Sequence, residues 1–351
     1  MTKDVPSFAR ACGFVENFCG REYSAAVLRV EVAGRVVCEY TVGQVTGDSS
    51  AVKIDPTTRF DLASLTKPFV ATAALDAVAD GMIELDESLA KIIVEWRGTT
   101  KSAINLRHLL AHTSGMRSGA HYRTLLDRQV EHFALTQALA AGVGERVVYS
   151  DLGFIALGVL LSRIHQRSLE SIVGTCALRL GASTVGFRPQ LLERTMIPAT
   201  ECDAWRGRVH GIVHDEKCHL MGGVSGHAGL FGTADDVARV AEAYLAAVWG
   251  RPTPLDVRLA RMAIEEQGSD PVLRRGFGWA LKTTDMNACG TRMSRATFGH
   301  TGFTGTSVWV DPSLDCSIVL LTNAVYFGRR DMRAWRCAIH DAVIEEVLAT
   351  G

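Results

Sequence analysis

A serine and a lysine three positions apart, Ser64 and Lys67, are the residues whose types and spacing most directly suggest chemistry. Pro68 follows at once, and proline is tolerated in a helix only in the first turn, where its missing N–H leaves no hydrogen bond unmade. The apolar run over residues 69–79, with Gly81 after it, predicts a buried helix that begins close to Ser64. The hydroxyl would then lie at the positive end of the helix dipole, one turn from the lysine amine. Such an arrangement supplies the base and the electrostatic field that a nucleophilic serine needs.

Two further segments carry polar groups that a catalytic cleft would use. Tyr149 precedes a helix predicted over residues 151–164, and Ser150 or Asp151 can cap that helix, which leaves the tyrosine hydroxyl free to face a cleft. Residues 299–305 (GHTGFTG) lie within a strand pattern. Glycines in a strand usually mark close approach by a ligand or by another backbone.

The elements that must position these groups are strands at the chain ends and helices between them. Strand patterns occur at residues 25–39 (a hairpin around 33–35), 276–282, 297–310 and 316–323, with a turn at 311–315. Helical patterns lie mainly over 106–191, and a last helix closes the chain at about 331–348. We therefore expect a sheet assembled from both termini, in an α/β lobe over 1–63 and 205–351. A mainly helical lobe over 64–204 would be inserted, with the active-site cleft between the two.

Composition narrows the class of protein. The 351 residues are 47% hydrophobic and 21% charged, an ordinary globular composition, and the net charge of −1 gives no electrostatic footprint for nucleic acid. No run reaches the roughly 18 apolar residues that a membrane span needs. The N-terminal residues lack the basic start and apolar core of a secretory signal, and the nine cysteines have no repeating spacing. These features predict reduced thiols in a cytoplasmic protein without a cofactor, and they leave the oligomeric state open.

Taken in chain order, residues 64–67 (SLTK), 149–151 (YSD) and 300–302 (HTG) resemble the three motifs of the serine β-lactamase and penicillin-binding superfamily. The tyrosine of the middle motif is similar to the class C β-lactamase branch, which includes D-aminopeptidases, D-Ala-D-Ala carboxypeptidases and family VIII carboxylesterases. Further stretches resemble that branch as well: residues 109–115, 222–231 and 318–323. The resemblance implies an α+β fold of the β-lactamase/DD-peptidase type, with an antiparallel sheet built from both chain ends and flanked by helices.

This sequence departs from the β-lactamase pattern at two positions. Asp151 stands where asparagine is usual, and His300 stands where lysine is usual. A lysine suits a substrate carboxylate, whereas histidine is only partly charged at neutral pH. Both departures weaken the case for efficient β-lactam hydrolysis, and carboxylesterase and peptidase relatives are more similar at the third motif.

The mechanism that the resemblance implies is acyl transfer through a covalent intermediate. Ser64 Oγ would attack an ester or amide carbonyl. Either Lys67, kept neutral by burial and nearby positive charge, or Tyr149 as a phenolate would take the proton, and the sequence leaves this choice open. The backbone N–H groups of Ser64 and Phe303 would form the oxyanion hole.

The remaining candidate residues would contact the substrate or the base. His300 would hydrogen-bond Tyr149 or the substrate, and the predicted substrate-binding residues are Asp151, Thr301 and Gly302. Simpler structural roles exist for several of them: a helix cap for Ser64 or Asp151, a half-buried core aromatic for Tyr149, and a structural strand residue for His300.

The predicted function is a serine hydrolase for esters or small amides and peptides, of carboxylesterase, D-amino-acid peptidase or β-lactamase type. Two alternatives stay open: a protein that binds β-lactams or peptidoglycan fragments without hydrolysing them, and a transacylase. Residues 210–219 (HGIVHDEKCH) also suggest a metal site, because zinc accepts histidine, aspartate and cysteine. Their spacing matches no standard zinc motif, so we predict a loop bordering the cleft and no metal.

Overall fold

The computed structural model describes residues 8–48, 51–268, 270, 273–283 and 288–349. The strands are β1 Ala25–Val32, β2 Arg35–Gly43, β3 Phe60–Asp61, β4 Gly186–Phe187, β5 Cys202–Asp203, β6 Gly207–Arg208, β7 Leu230–Gly232, β8 Ala280–Leu281, β9 Phe298–Thr301, β10 Ser307–Asp311 and β11 Cys316–Thr322. The α-helices are α1 Ala9–Phe18, α2 Thr66–Ala79, α3 Leu106–Leu110, α4 Val130–Thr136, α5 Asp151–His165, α6 Leu169–Arg179, α7 Glu216–Leu220, α8 Ala234–Trp249, α9 Val257–Ala263 and α10 Arg333–Leu348.

The main sheet joins the two ends of the chain. Its order is β2-β1-β11-β10-β9-β8, and every neighbouring pair is antiparallel. The first strands therefore pair directly with the last strand. The predicted α+β fold, with an antiparallel sheet built from both chain ends and flanked by helices, is confirmed.

Alternate residues of the central strands serve two hydrophobic cores. Leu28 and Ile318 point to the face that α1 and α10 cover, while Val27 and Val319 point to the opposite face, which α8 covers. Because helices lie on both faces, β1 and β11 are buried along almost their whole length. The core on the α8 side of the sheet continues to the helices around α2.

Helix α2 is the buried helix that the sequence predicts. A 3-10 turn over Ala63–Leu65 leads into it, and Gly81, with a φ of 68°, follows its end. Its residues are buried on nearly all sides because α5, α6 and α9 pack around it. Ser64 therefore lies at the start of a rigid, buried element.

Several local predictions are confirmed, and others need correction. The hairpin at 25–39 has a two-residue turn at Ala33 and Gly34, both with the positive φ that suits such a turn, and the turn at 311–315 and the closing helix are present. The strand pattern at 297–310 is instead two strands, β9 and β10, because a glycine-containing turn separates them. The pattern at 276–282 yields only the two residues of β8, since Gly276 N–H bonds the Trp279 carbonyl in a tight turn.

Helix covers less of residues 106–191 than the sequence predicts. Four α-helices, α3 to α6, lie there, and the two longer loops, between α3 and α4 and between α4 and α5, contain glycines. No helix in the described part of the chain is long and apolar enough to cross a membrane. All nine cysteines are free thiols, while the cytoplasmic location and the two-lobe division at 63/64 and 204/205 remain predictions.

Candidate active site

Ser64 lies in a turn that the buried carboxylate of Asp61 fixes. Ala63 has a φ of 47°, a left-handed conformation that is unfavourable for a residue with a Cβ atom. Asp61 stabilises it, because Oδ1 accepts a hydrogen bond from Ala63 N–H at 2.8 Å while Oδ2 accepts one from His214 N–H at 2.6 Å. The strained turn leaves Ser64 half-buried at the edge of a cleft.

Lys67 is within hydrogen-bonding distance of the candidate nucleophile. Its Nζ atom donates to Ser64 Oγ at 2.9 Å and to the His227 carbonyl at 3.1 Å, and its side chain is fully buried. Ser64 makes no capping hydrogen bond to the described residues of the turn or of α2. The geometry therefore favours the chemical role of this pair over the simpler role of Ser64 as a helix cap.

Asp151 provides a counter-charge to Lys67. Ser150, rather than Asp151, caps α5, because Ser150 Oγ accepts a hydrogen bond from Gly153 N–H at 2.9 Å. Asp151 is thus free to place Oδ1 2.9 Å from Lys67 Nζ. Burial alone would lower the pKa of Lys67, but the Asp151 carboxylate and the neighbouring Tyr149 outweigh it, and the pKa of Lys67 is raised. The expectation that burial and positive charge keep Lys67 neutral is therefore wrong.

Two cations lie close to the aromatic ring of Tyr149. Lys67 Nζ is 4.9 Å and Arg275 Cζ is 5.0 Å from the ring centroid. The His112 ring packs against Tyr149 with a centroid separation of 4.7 Å, and the His300 ring lies 6.1 Å away. The Tyr149 ring is thus surrounded by cationic and imidazole side chains.

His300, on β9, has one ring nitrogen engaged and one free for a ligand. Nδ1 donates to the Thr301 carbonyl at 2.9 Å, while Nε2 is buried with no hydrogen-bond partner among the described residues. Burial, with Arg275 and Lys67 nearby, holds the pKa of His300 well below its usual range. The ring is therefore neutral at pH 7, not partly charged as expected from its type, and Nε2 can accept a hydrogen bond.

The turn between β9 and β10 packs directly against the turn that carries Ser64. A Cβ atom at Gly302 would lie 2.6 Å from the Leu62 carbonyl oxygen and 2.1 Å from Thr306 Oγ1, so only glycine fits. Thr304 Oγ1 donates to the Asp61 carbonyl at 2.8 Å, which joins the two turns. The close approach that the glycines predict is therefore an approach of backbone to backbone.

Two backbone N–H groups lie at the junction of these turns. Neither Ser64 N–H nor Phe303 N–H donates a hydrogen bond to another described residue, whereas Gly302 N–H and Gly305 N–H bond within their own turn. The Phe303 side chain is 53% exposed and stacks on His214 at a centroid separation of 5.8 Å.

A cleft of about 540 Å³ brings the predicted residues together. Those that line it are Ser64, Tyr149, His300, Thr301, Gly302 and Phe303. Lys67 and Asp151 are not in its lining and lie behind Ser64. Four arginines add positive charge to the cleft wall: Arg275, Arg330, Arg333 and Arg336.

Sequence reasoning missed several charged residues beside the site. Arg275 lines the cleft, and no acidic side chain in the described ranges forms an ion pair with it. Its position at the start of a weak strand pattern gave no signal. Lys217 Nζ lies 3.0 Å from Asp215 Oδ2 and 3.3 Å from Asp151 Oδ2. Lys217 and Asp215 belong to the 210–219 segment predicted to border the cleft.

The side chains of that segment do not converge on a metal-binding geometry. Carboxylate and imidazole atoms of Asp151, Asp215 and His227 lie within 4.8 Å of one another, but the Lys217 ammonium already bridges the two carboxylates. His214 instead bonds Glu201 through Nε2 at 2.8 Å. The Lys217 ammonium therefore supplies the positive charge that a metal ion would bring to these carboxylates.

The chain is similar to known proteins over most of its length. The family model described as Beta-lactamase matches residues 21–341. A protein named putative D-alanyl-D-alanine carboxypeptidase from Escherichia coli (strain K12) is 30% identical over 311 residues, which cover 78% of this chain and 70% of that protein. The N-acetylmuramyl-L-alanine amidase of Bacillus subtilis (strain 168) is 27% identical over 349 residues, covering 88% and 79% of the two chains.

Solved structures share the fold at lower sequence identity. EstCE1, described as a hydrolase with promiscuous acyltransferase activity, has a TM-score of 0.77 and 20% identity, covering 96% of this chain and 98% of its own. A class C beta lactamase from Rhodobacter sphaeroides has a TM-score of 0.76 and 16% identity, covering 96% and 99%. Because the family model covers most of the sequence and the fold agrees, this chain belongs to the Beta-lactamase family.

Proposed function

We propose that this chain is a serine hydrolase that forms an acyl-enzyme on Ser64 with ester or small amide and peptide substrates. The observation that carries the proposal is the 2.9 Å hydrogen bond from Lys67 Nζ to Ser64 Oγ at the edge of the 540 Å³ cleft. A serine held at a helix start beside a cation has a stabilised oxyanion form, which is what nucleophilic attack on a carbonyl requires.

The charges around Lys67 favour Tyr149 as the general base. Lys67 and Asp151 form a buried ion pair, and loss of the lysine proton would leave the carboxylate without this partner. Uncompensated charge in the interior is costly, so Lys67 stays an ammonium. Tyr149, whose ring centroid lies 4.9 Å from Lys67 Nζ and 5.0 Å from Arg275 Cζ, takes the Ser64 proton when Ser64 Oγ bonds to the substrate carbonyl carbon.

The proton then returns to the leaving group as its bond to the carbonyl carbon breaks. In the second step water adds to the acyl carbonyl and gives a proton to Tyr149. As the bond between the carbonyl carbon and Ser64 Oγ breaks, Tyr149 passes that proton to Oγ, which releases the acid and restores both Ser64 and the base. In each step the carbonyl oxygen gains negative charge, and the N–H groups of Ser64 and Phe303 are its donors. Each such donor typically lowers the barrier by about 3 kcal/mol.

The third motif binds the part of the substrate next to the scissile bond. His300 Nε2 accepts a hydrogen bond from the substrate, and Thr301 and Gly302 provide the floor beside it. Asp151 acts on the reaction through Lys67, because both of its oxygens face lysine ammonium groups; direct contact with substrate remains a prediction for it.

A neutral His300 in place of lysine supports ester or peptide substrates over efficient β-lactam turnover, and a relative is named a putative D-alanyl-D-alanine carboxypeptidase. The test is a turnover panel of p-nitrophenyl esters, D-amino-acid amides, peptides ending in D-alanine and a chromogenic cephalosporin. We expect turnover of at least the esters. A stable adduct without turnover would instead indicate a binding protein, and product formed only with added alcohol or amine would indicate a transacylase.

A further inference from the structure

A continuous chain of charged groups begins at Lys67. Asp151 places Oδ1 2.9 Å from Lys67 Nζ and Oδ2 3.3 Å from Lys217 Nζ. Lys217 Nζ in turn lies 3.0 Å from Asp215 Oδ2. Four groups of alternating sign thus follow one another, starting directly behind the candidate nucleophile.

Hydrogen bonds hold Asp215, the last member of this chain, in place. Asp215 Oδ1 accepts from Cys218 N–H at 2.8 Å and lies 2.8 Å from His227 Nε2. His227 Nδ1 is in turn 2.8 Å from Ser225 Oγ. This serine, histidine and aspartate resemble a catalytic triad in order, but Ser225 is 1% exposed and no substrate can reach it. The triad-like arrangement is therefore structural.

The charges within the cluster balance. Two ammonium groups, Lys67 and Lys217, face two carboxylates, Asp151 and Asp215, and all four side chains are largely buried. The groups that face Asp151 are Lys67 from α2, Lys217 and Asp215 from the start of α7, and His227 from the loop before β7. Removing any one charge leaves another uncompensated, which is costly in a buried site.

We propose that Lys217, anchored by Asp215 and His227, is a positioning residue that holds the Asp151 carboxylate ionised against Lys67 and so keeps the Lys67 ammonium on Ser64. This inference rests on the proposed function of Ser64. It explains why an aspartate is acceptable at a motif position where the resemblance leads one to expect asparagine: a second buried lysine compensates the added negative charge.

The direct test is Lys217→Met, measured as the pH profile of kcat/KM with a p-nitrophenyl ester. Loss of the Lys217 cation raises the pKa of Asp151, and only the ionised carboxylate holds the Lys67 ammonium in place, so the acid limb moves to higher pH by about one unit or more. At neutral pH we expect kcat/KM to fall about 10-fold to 100-fold, the range of coupling between members of one salt-bridge network, because the ion pair between Lys217 and Asp151 is lost. Lys217→Arg keeps the positive charge, so it should restore most of kcat/KM and return the acid limb close to its original pH.

The control is Lys101→Met, which removes another buried lysine. Lys101 Nζ bonds the Leu135 carbonyl at 2.6 Å, away from the cleft. This variant can lose thermal stability, but its pH profile should superimpose on that of the unmodified protein. A purely structural role for Lys217 would give the same result, so an unshifted profile in Lys217→Met overturns the proposal.

A second comparison covers the case in which Lys217→Met does not fold. The double variant Asp151→Asn/Lys217→Met removes one charge of each sign and keeps the cluster neutral. If Lys217 acts through Asp151, its pH profile matches that of Asp151→Asn alone, and a difference between the two overturns the proposal. Labelling of the unmodified protein by a fluorophosphonate is measured alongside: absence of that label would remove the proposed function itself, whereas labelling with unshifted profiles removes only the role of Lys217.

Discussion

Lys67 Nζ lies 2.9 Å from Asp151 Oδ1, so the amine beside the candidate nucleophile is one half of a buried ion pair. Asp151→Asn removes the carboxylate that raises the pKa of Lys67, and the pKa of Lys67 therefore falls. Lys67 then loses its proton at lower pH, and the alkaline limb of the kcat/KM profile moves to lower pH. Asp331→Asn is the control, because Asp331 is an exposed acid at the cleft wall. An alkaline limb that stays in place in Asp151→Asn would contradict a required ammonium.

Tyr149→Phe tests the assignment of the base. The ring contacts with His112 and His300 are retained, so thermal stability should change little. Loss of the hydroxyl should lower kcat about 100-fold to 10,000-fold with KM nearly unchanged, the size usual for a general base. Tyr122→Phe serves as the comparison, since Tyr122 stacks on Trp205 and is not in the cleft lining. Equal activity of the two variants would exclude Tyr149 as the base.

Arg275 should determine the preference for negatively charged substrates. It lines the cleft, and its guanidinium has no ion-pair partner among the described acids. We expect Arg275→Met to lower the ratio of kcat/KM for a carboxylate-bearing ester to that for its neutral analogue by about tenfold or more. Because the ratio compares two esters on the same variant, any loss of activity caused by disturbing Tyr149 affects both esters and cancels. Arg261→Met, which removes an arginine bonded to the Ala247 carbonyl, should leave the ratio unchanged.

Gly302→Ala should separate the two turns that form the nucleophile end of the cleft. The added Cβ would meet the Leu62 carbonyl and the Thr306 hydroxyl at less than van der Waals distance, and such overpacking costs about 1–3 kcal/mol. The melting temperature and kcat should both fall. Gly174→Ala is the matched control: this glycine of α6 has nothing within 4 Å of an added Cβ, so the change should stabilise the helix by up to about 1 kcal/mol. If Gly302→Ala melted at the same temperature as the unmodified protein, the predicted close contact at Gly302 would be contradicted.

The sequence predicts the fold well wherever local pattern and backbone chemistry agree. Pro68 and Gly81 bound a buried helix because proline and glycine have positional constraints that packing does not change. The paired strands from both ends are confirmed, but alternation in β1 predicts one exposed face, whereas helices cover both faces of β1 and β11. Periodicity failed at residues 276–282, where a tight turn stabilised by a backbone hydrogen bond shortens the strand.

The site is predicted only in part, because charge partners depend on tertiary contacts. Ser64, Tyr149 and His300 could be found from motif spacing, and they line one cleft. The protonation of Lys67 could not, since Asp151 reaches it from another helix while Ser150 takes the capping role. Lys217 is 150 positions from Lys67, and no spacing rule relates residues that far apart.

The most direct measurement of the central claim is the site of acylation. The protein is reacted with a slowly released ester or a fluorophosphonate, digested, and mapped by mass spectrometry, with Ser64→Ala in parallel. The account predicts a stoichiometric adduct on the peptide containing Ser64 and neither adduct nor turnover in Ser64→Ala, a loss of at least about a thousandfold. An adduct on another residue, or full turnover by Ser64→Ala, would contradict it.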